Sequence, residues 1–192
     1  MKQGGKLAGG NPARGRAEND FYATHPDSTR ALLEVEKIIY PALEPACGEG
    51  HISKLIENPS LVSTDLVYRG YGKGGIDFLS ENYLESPDFG FETIITNPPF
   101  NLFQEFVEKA LEVANQKVIM FGKLQALEGQ KRATFLQKTP LKTIYVFKKR
   151  QQPMRNGKEN DEITGKKMSS TMAFAWYVWE IGYVGKPIIE WI

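Results

Sequence analysis

Leu43-Glu44-Pro45-Ala46-Cys47-Gly48-Glu49-Gly50 is the stretch that decides how this chain folds. A short apolar segment leads into it. His51-Ile52-Ser53-Lys54-Leu55-Ile56 follows, with its apolar residues at helical spacing. The order is strand, glycine turn, helix. Gly48 and Gly50 permit positive φ and the close approach of a ligand to the backbone. The turn is not the GxGxxG dinucleotide fingerprint, and it lacks the Lys-Ser/Thr of a phosphate loop.

The same punctuation recurs outward from this turn. Leu61-Val62-Ser63-Thr64-Asp65 reads as a second strand ending in an acid, and an acid at that position commonly accepts hydrogen bonds from ribose hydroxyls. Gly75-Ile76-Asp77-Phe78-Leu79 reads as a third, short strand. Phe91-Glu92-Thr93-Ile94-Ile95-Thr96 is an apolar run of buried-strand character, and Asn97-Pro98-Pro99-Phe100 follows it. Four consecutive strand ends are thus expected to carry Glu44, Asp65, Asp77 and Asn97, at the sheet edge where open α/β sheets bind ligands.

The remaining chain continues the alternation. Pro26-Asp27-Ser28 reads as a helix start, with Leu32, Leu33, Val35, Ile38 and Ile39 on an apolar stripe. Leu102, Phe103, Phe106, Val107, Ala110, Leu111 and Val113 have helical spacing, as expected also of residues 129–137. Lys117–Gly122, Thr143–Phe147 and Met172–Trp179 read as further strands. Strands alternating with helices argue for a mostly parallel, doubly wound sheet with helices on both faces. No helical pattern separates the last two strands, so they are expected to pair antiparallel. Pro41 is tolerable only where a strand begins.

The Asn97 segment carries chemistry. Two consecutive prolines remove two backbone donors and fix φ, which makes the loop rigid. A rigid carbonyl beside the Asn oxygen forms a pair of acceptors, matched to the two N–H donors of a planar exocyclic amine. The Phe100 ring offers a face on which a base can stack.

Composition bounds the rest. The 192 residues are 41% hydrophobic and 11% aromatic, enough for one domain with a sizeable core. The net charge of +1 favours no partner, but seven Lys and Arg against three acids between Lys148 and Lys167 concentrate positive charge in one segment. Cys47 is the only cysteine, so no internal disulfide forms and a reducing compartment is expected. Its place in the glycine turn marks it as a small residue that fits, not a nucleophile with a paired base. No apolar run is long enough to span a membrane, and the N-terminal residues read as no signal peptide. Residues 1–19, rich in Gly, Asn, Lys and Arg, read as a flexible basic tail whose Lys2, Lys6, Arg14 and Arg16 suit phosphates. Neither His25 nor His51 has the company of a zinc site, so no metal is expected.

Taken together, these motifs resemble those of class I S-adenosylmethionine-dependent methyltransferases of the amino-methylating type. The likeness is to N6-adenine DNA methyltransferases in which the cofactor motifs precede Asn-Pro-Pro-Phe, and in particular to small phage or prophage members. Asp20-Phe21-Tyr22-Ala23-Thr24-His25-Pro26 resembles their N-terminal cofactor motif, usually Tyr-x-Thr-Pro, with His25 inserted. Ser170–Trp179 resembles the aromatic last strand of the small members.

The resemblance implies a Rossmann-like seven-stranded sheet with an antiparallel last strand, formed by a single methyltransferase domain over residues 20–192. It implies S-adenosylmethionine as cofactor, held by Tyr22, Thr24, Glu44, Pro45, Ala46, Cys47, Gly48, Gly50, Asp65, Leu66, Asp77, Phe78 and Asn97. Glu44 is expected either near the cofactor or capping the turn. Asn97, Pro98, Pro99 and Phe100 are implied as the catalytic set. The segment 148–169 is expected to be a basic substrate loop, with Arg150, Arg155, Lys158, Lys166, Lys167 and also Gln125 reaching the substrate. The expected reaction is methylation of adenine in DNA with low sequence specificity, in the cytoplasm of a bacterium or phage-infected cell. Methylation of an RNA base or a protein glutamine amide is the alternative, as is an inactive nucleic-acid-binding module. DNA is favoured over RNA as partner, and the oligomeric state stays open.

Overall fold

A computed structural model describes residues 21–81, 90–151, 154–155, 157 and 172–192. The expected tail at 1–19 and most of the expected loop at 148–169 lie outside these residues. The chain runs β1 (Tyr22–Ala23), α1 (Pro26–Val35), β2 (Ala42–Glu44), α2 (Ser53–Ile56), β3 (Leu61–Ser63), β4 (Phe91–Thr96), α3 (Phe103–Val113), β5 (Ala114–Lys123), α4 (Gln130–Leu136), β6 (Leu141–Val146), β7 (Met154–Arg155), β8 (Phe174–Glu180) and β9 (Ile188–Trp191).

Seven strands form one sheet in the order β3-β2-β4-β5-β8-β6-β9. β8 runs antiparallel to both its neighbours, and every other pairing is parallel. The sheet is the expected mostly parallel Rossmann-like one, with two differences in detail. Residues 75–79 form no strand. Gly74 and Gly75, and a turn in which the Leu79 amide donates to Asp77 Oδ1 (3.0 Å), interrupt any ladder there. The seventh strand is instead β9, after the antiparallel strand and at the opposite edge. Its Ile188, Ile189 and Trp191 are all half-exposed or more, so it has no inward face for a sequence pattern to reveal.

The central strands bury side chains on both faces, which is why they read as unbroken apolar runs. On one face Ile94, Val118, Met120 and Tyr177 meet Phe106, Val107 and Ala110 of α3. On the other, Ile95, Ile119, Phe121 and Trp176 meet Leu32 of α1 and Ile52. Val35, expected on the α1 stripe, is 49% exposed because the helix ends with it. His25 caps α1, its Nδ1 accepting from the Asp27 amide at 3.2 Å. Just past the other end of α1, the Lys117 ammonium pairs with Glu36, which also accepts from Tyr145 OH (3.0 Å).

β2 is flanked by β3 on one side and β4 on the other, so the chain reverses its direction of winding there. The crevice at such a switch point lies at the strands' carboxyl ends. Glu44 ends β2 and Asn97 follows β4, so two expected site residues sit on either side of it.

Candidate active site

The glycine turn is built on a buried acid. Glu44 is 1% exposed, and its Oε2 accepts from the Ser53 amide (3.0 Å) and from Ser53 Oγ, so it caps the first turn of α2. Ser53 Oγ also lies 2.6 Å from Ser63 Oγ. Burial pushes the Glu44 carboxyl up to about 8; the Ser53 bonds pull it down and the neighbouring Asp65 charge adds a smaller rise. Glu44 thus caps the turn, and it also lines the cavity described below.

Gly48 and Gly50 have φ of +55° and +80°. What presses against them is protein. A Cβ on Gly48 would meet Phe21 at 2.5 Å, and one on Gly50 would meet Tyr71 at 2.6 Å. The close approach expected of a ligand is made by these two rings, and neither glycine is among the cavity-lining residues. Cys47 is buried, and burial, with Glu44 and Asp65 adding to it, pushes its thiol up to about 12. Such a thiol is no nucleophile at neutral pH.

Asp65, two residues beyond β3, is held by two backbone donors: Gly48 N to Oδ2 and Val67 N to Oδ1, both 2.8 Å. One acid therefore locks the glycine turn to the following loop, and each oxygen keeps a lone pair for a ligand. Asp77 lies in a turn, not at a strand end. Phe78 beside it is buried, its ring 5.2 Å from that of Phe106.

Asn97 is anchored by β1. Its Nδ2 donates to the Tyr22 carbonyl at 2.7 Å, and its Oδ1 is buried without a partner among the described residues. Because a carbonyl only accepts, the amide's orientation follows from that bond. Thr24 Oγ1 is likewise buried and, among the described residues, unpartnered. Pro99 gives its carbonyl to the Leu102 amide (2.9 Å), starting the 3-10 turn Phe100–Leu102 that leads into α3. Phe100 stacks on Tyr22 (centroids 5.6 Å apart), contacts Phe174 at the same separation, and lies 4.9 Å under Lys123 Nζ.

These elements close around one cavity. Tyr22, Thr24, Glu44 to Cys47, Asp65, Leu66, Asp77, Phe78 and Asn97 to Phe100 all line it. Phe21, His51, Val67, Arg69, Ile76, Leu102 and Phe106 line it too and were not foreseen. Phe21 was adjacent to an expected motif, whereas Arg69 stood in a Tyr- and Gly-rich run without a motif. Burial lowers the affinity of His51 for a proton, against the Glu49 carboxylate 3.8 Å away.

The expected substrate residues are less gathered. Gln125 and Arg150 are exposed and do not line the cavity. The backbone of Arg155 pairs with Tyr22, which brings β7 beside β1. Lys158, Lys166 and Lys167 lie outside the described residues. Among the described residues no three His, Cys, Asp or Glu side chains converge as a metal would need, and no helix is long and apolar enough to cross a membrane.

No protein-family model matches the chain and no curated protein matches its sequence. Solved structures do match its fold. One is a Listeria monocytogenes protein assigned to the class I S-adenosylmethionine-dependent methyltransferases (TM-score 0.57, 12% identity, 94% of this chain and 68% of that one). Another is the methyltransferase subunit of a type I restriction-modification system from Streptococcus thermophilus (0.54, 11%, 83% and 44%). A third is the 23S rRNA methyltransferase ErmE (0.53, 16%, 85% and 70%). The chain spans about two thirds of the first and less than half of the second. At these identities the likeness is one of fold, which the chain shares with these methyltransferase structures.

Proposed function

We propose that this chain is an S-adenosylmethionine-dependent methyltransferase acting on the exocyclic amine of adenine in DNA. The observation that carries the reading is the Asn97 amide. Tyr22 holds its nitrogen, so its oxygen is presented as a buried, unpartnered acceptor at the switch point. An orphaned buried acceptor costs about 1–3 kcal/mol, and an amine N–H would recover it.

The cavity suits the cofactor. Two carboxylates, Asp65 and Asp77, line the cavity for a ligand with two cationic centres, with the protonated Glu44 beside them, and the spare lone pairs of Asp65 suit vicinal hydroxyls. Thr24 Oγ1 offers a further unpartnered polar atom. When bound, S-adenosylmethionine supplies a methyl group made electrophilic by its sulfonium.

The acceptor side is positioning. The lone pair of an aromatic amine is delocalised, so the amine is a poor nucleophile. Asn97 Oδ1 and the Pro98 carbonyl each accept one N–H, favouring a more tetrahedral nitrogen with its lone pair aimed across the cavity. Phe100 gives the base a stacking surface, worth about 1–3 kcal/mol per base, which offsets part of the cost of removing it from a duplex. We take residues 20–192 as one catalytic unit. The pairing of β7 with β1 supports the segment 148–169 as the part that meets the nucleic acid, with Lys148, Lys149 and Arg150 exposed at its start.

The test is mass spectrometry of nucleosides from DNA and RNA of cells expressing the protein or its Asn97→Ala variant. Methyladenine in DNA, absent with the variant, is the expected result. Methylation confined to RNA moves the acceptor, and no new methylated nucleoside in either polymer overturns the reading.

A further inference from the structure

β9 ends the sheet, and among the described residues no strand pairs with its outer side. Neither of its faces is covered. Ile188, Ile189, Glu190 and Trp191 are all exposed, whereas β4 and β8 inside the sheet are buried on both faces. Val184, shortly before β9, is exposed too. Apolar surface thus lies on a sheet edge, where proteins commonly set charges, bulges or a covering helix against strand-to-strand association.

The hydrogen bonds to β6 fix which groups face outward. The Ile192 amide donates to the Val146 carbonyl (3.0 Å), and the Ile192 carbonyl accepts from the Lys148 amide (2.8 Å). Successive residues of a strand turn their N–H and C=O to alternate sides. Ile188 and Glu190 therefore also face β6, and Ile189 and Trp191 present their donors and acceptors at the free edge. Pro187, the next outward residue, has a carbonyl and no N–H to offer.

We infer that this edge joins a second copy of the chain, β9 lying antiparallel to its counterpart about a two-fold axis at Ile189. In that register the two Ile189 residues exchange both their backbone bonds, and the Trp191 amide donates to the carbonyl of the partner's Pro187. The ladder uses every outward donor of Ile189 and Trp191, and the proline falls only at its ends, where a missing N–H is tolerated. A register centred on Ile188 sets the Ile189 carbonyl against the proline instead, and one centred on Glu190 sets two carboxylates opposite each other, which is repulsive. With Ile189 at the centre, Glu190 lies diagonal to the partner's Lys186, within reach of a long side chain. Within one chain these two are about 13 Å apart where the backbone is extended, too far to pair. On the other face Trp191 packs on the partner's Pro187 and the two Ile189 side chains meet. Two seven-stranded sheets become one, with the two cavities opening at opposite edges, so the association stands apart from the catalytic reading.

The test is sedimentation velocity of the full chain over a wide range of concentration, wild type against Ile189→Pro. The Ile189 amide faces away from β6, so proline there removes the donor offered to the partner and keeps the ladder within the chain, which far-ultraviolet circular dichroism checks. The wild type should pass from one chain to two as concentration rises. Ile189→Pro should weaken the association by more than about tenfold, the effect of losing the central pair of hydrogen bonds. Glu190→Lys should weaken it by roughly 3- to 10-fold, and adding Lys186→Glu should restore it by exchanging the signs across the axis. If Ile189→Pro fails to fold, the charge exchange decides. A wild type that stays a single chain at every concentration overturns the inference. So does a dimer that a folded Ile189→Pro leaves unchanged, or one that the charge exchange does not restore. Particles that keep growing with concentration overturn the closed two-fold arrangement.

Discussion

Asn97 Nδ2 donates to the carbonyl of Tyr22 at 2.7 Å, a bond that joins the end of β4 to the start of the described chain. It decides which end of the amide faces the acceptor. Asn97→Asp replaces that donor with a carboxylate oxygen set against a carbonyl. Methyl transfer should fall by about 10²–10³-fold, the range seen when one preorganised polar group is lost. S-adenosylmethionine affinity, measured by calorimetry, should change far less than the rate of labelled-methyl transfer. Parallel loss of both would place Asn97 in cofactor binding alone.

Gly48 carries a second expectation. Ala there adds the strain of a positive φ, about 1–2 kcal/mol, and drives a Cβ into Phe21. Gly48→Ala should lower the melting temperature and weaken cofactor binding, and a Phe21→Leu change in the same chain should restore part of the stability. If the double variant is no better than the single, Phe21 is not what the glycine makes room for.

Glu44 links the site to pH. Its folded carboxyl is raised from 4.5 to about 8, so the folded state holds a proton that the unfolded state has released. That contribution to stability is fully present below about pH 4.5 and is lost progressively as pH rises to about 8. Wild-type melting temperature should therefore decline across this window, and Glu44→Gln should flatten the decline. Identical slopes for the two proteins would remove Glu44 as the source.

Lys117 and Glu36 form a buried pair, with side chains 7% and 11% exposed. Lys117→Met strands the Glu36 charge and should cost about 3–5 kcal/mol in urea denaturation, with cofactor affinity retained. Adding Glu36→Gln should recover much of the loss. A Lys117→Met protein as stable as wild type would show that the pair contributes nothing.

The features legible in the sequence are those in which residue type and local order suffice. Glu44, Asp65 and Asn97 could be placed at the strands' carboxyl ends because each closes an apolar run, and Glu44 and Asn97 are followed by proline. Arg69 meets the Phe21 ring across a long stretch of chain, and nothing local in its own Tyr- and Gly-rich run distinguishes it. Ile76–Phe78 has the composition of a strand, but after the Ile76 amide donates to the Asp65 carbonyl (3.1 Å) the Asp77 turn ends the pairing. β9 escaped notice for the opposite reason: hydrogen bonding to β6 makes it a strand while its side chains stay out.

Phe121 and Phe174 lie parallel at 5.4 Å, Phe174 meets Phe100, and Phe100 meets Tyr22. Trp176, fully buried, stands edge-on to Phe121 at 5.1 Å. The column of rings thus wires an indole in the sheet interior to the surface on which the base is proposed to lie. In a chain whose Trp179 and Trp191 are changed to Phe, the emission of Trp176 becomes an optical readout of what Phe100 is touching, with no label attached.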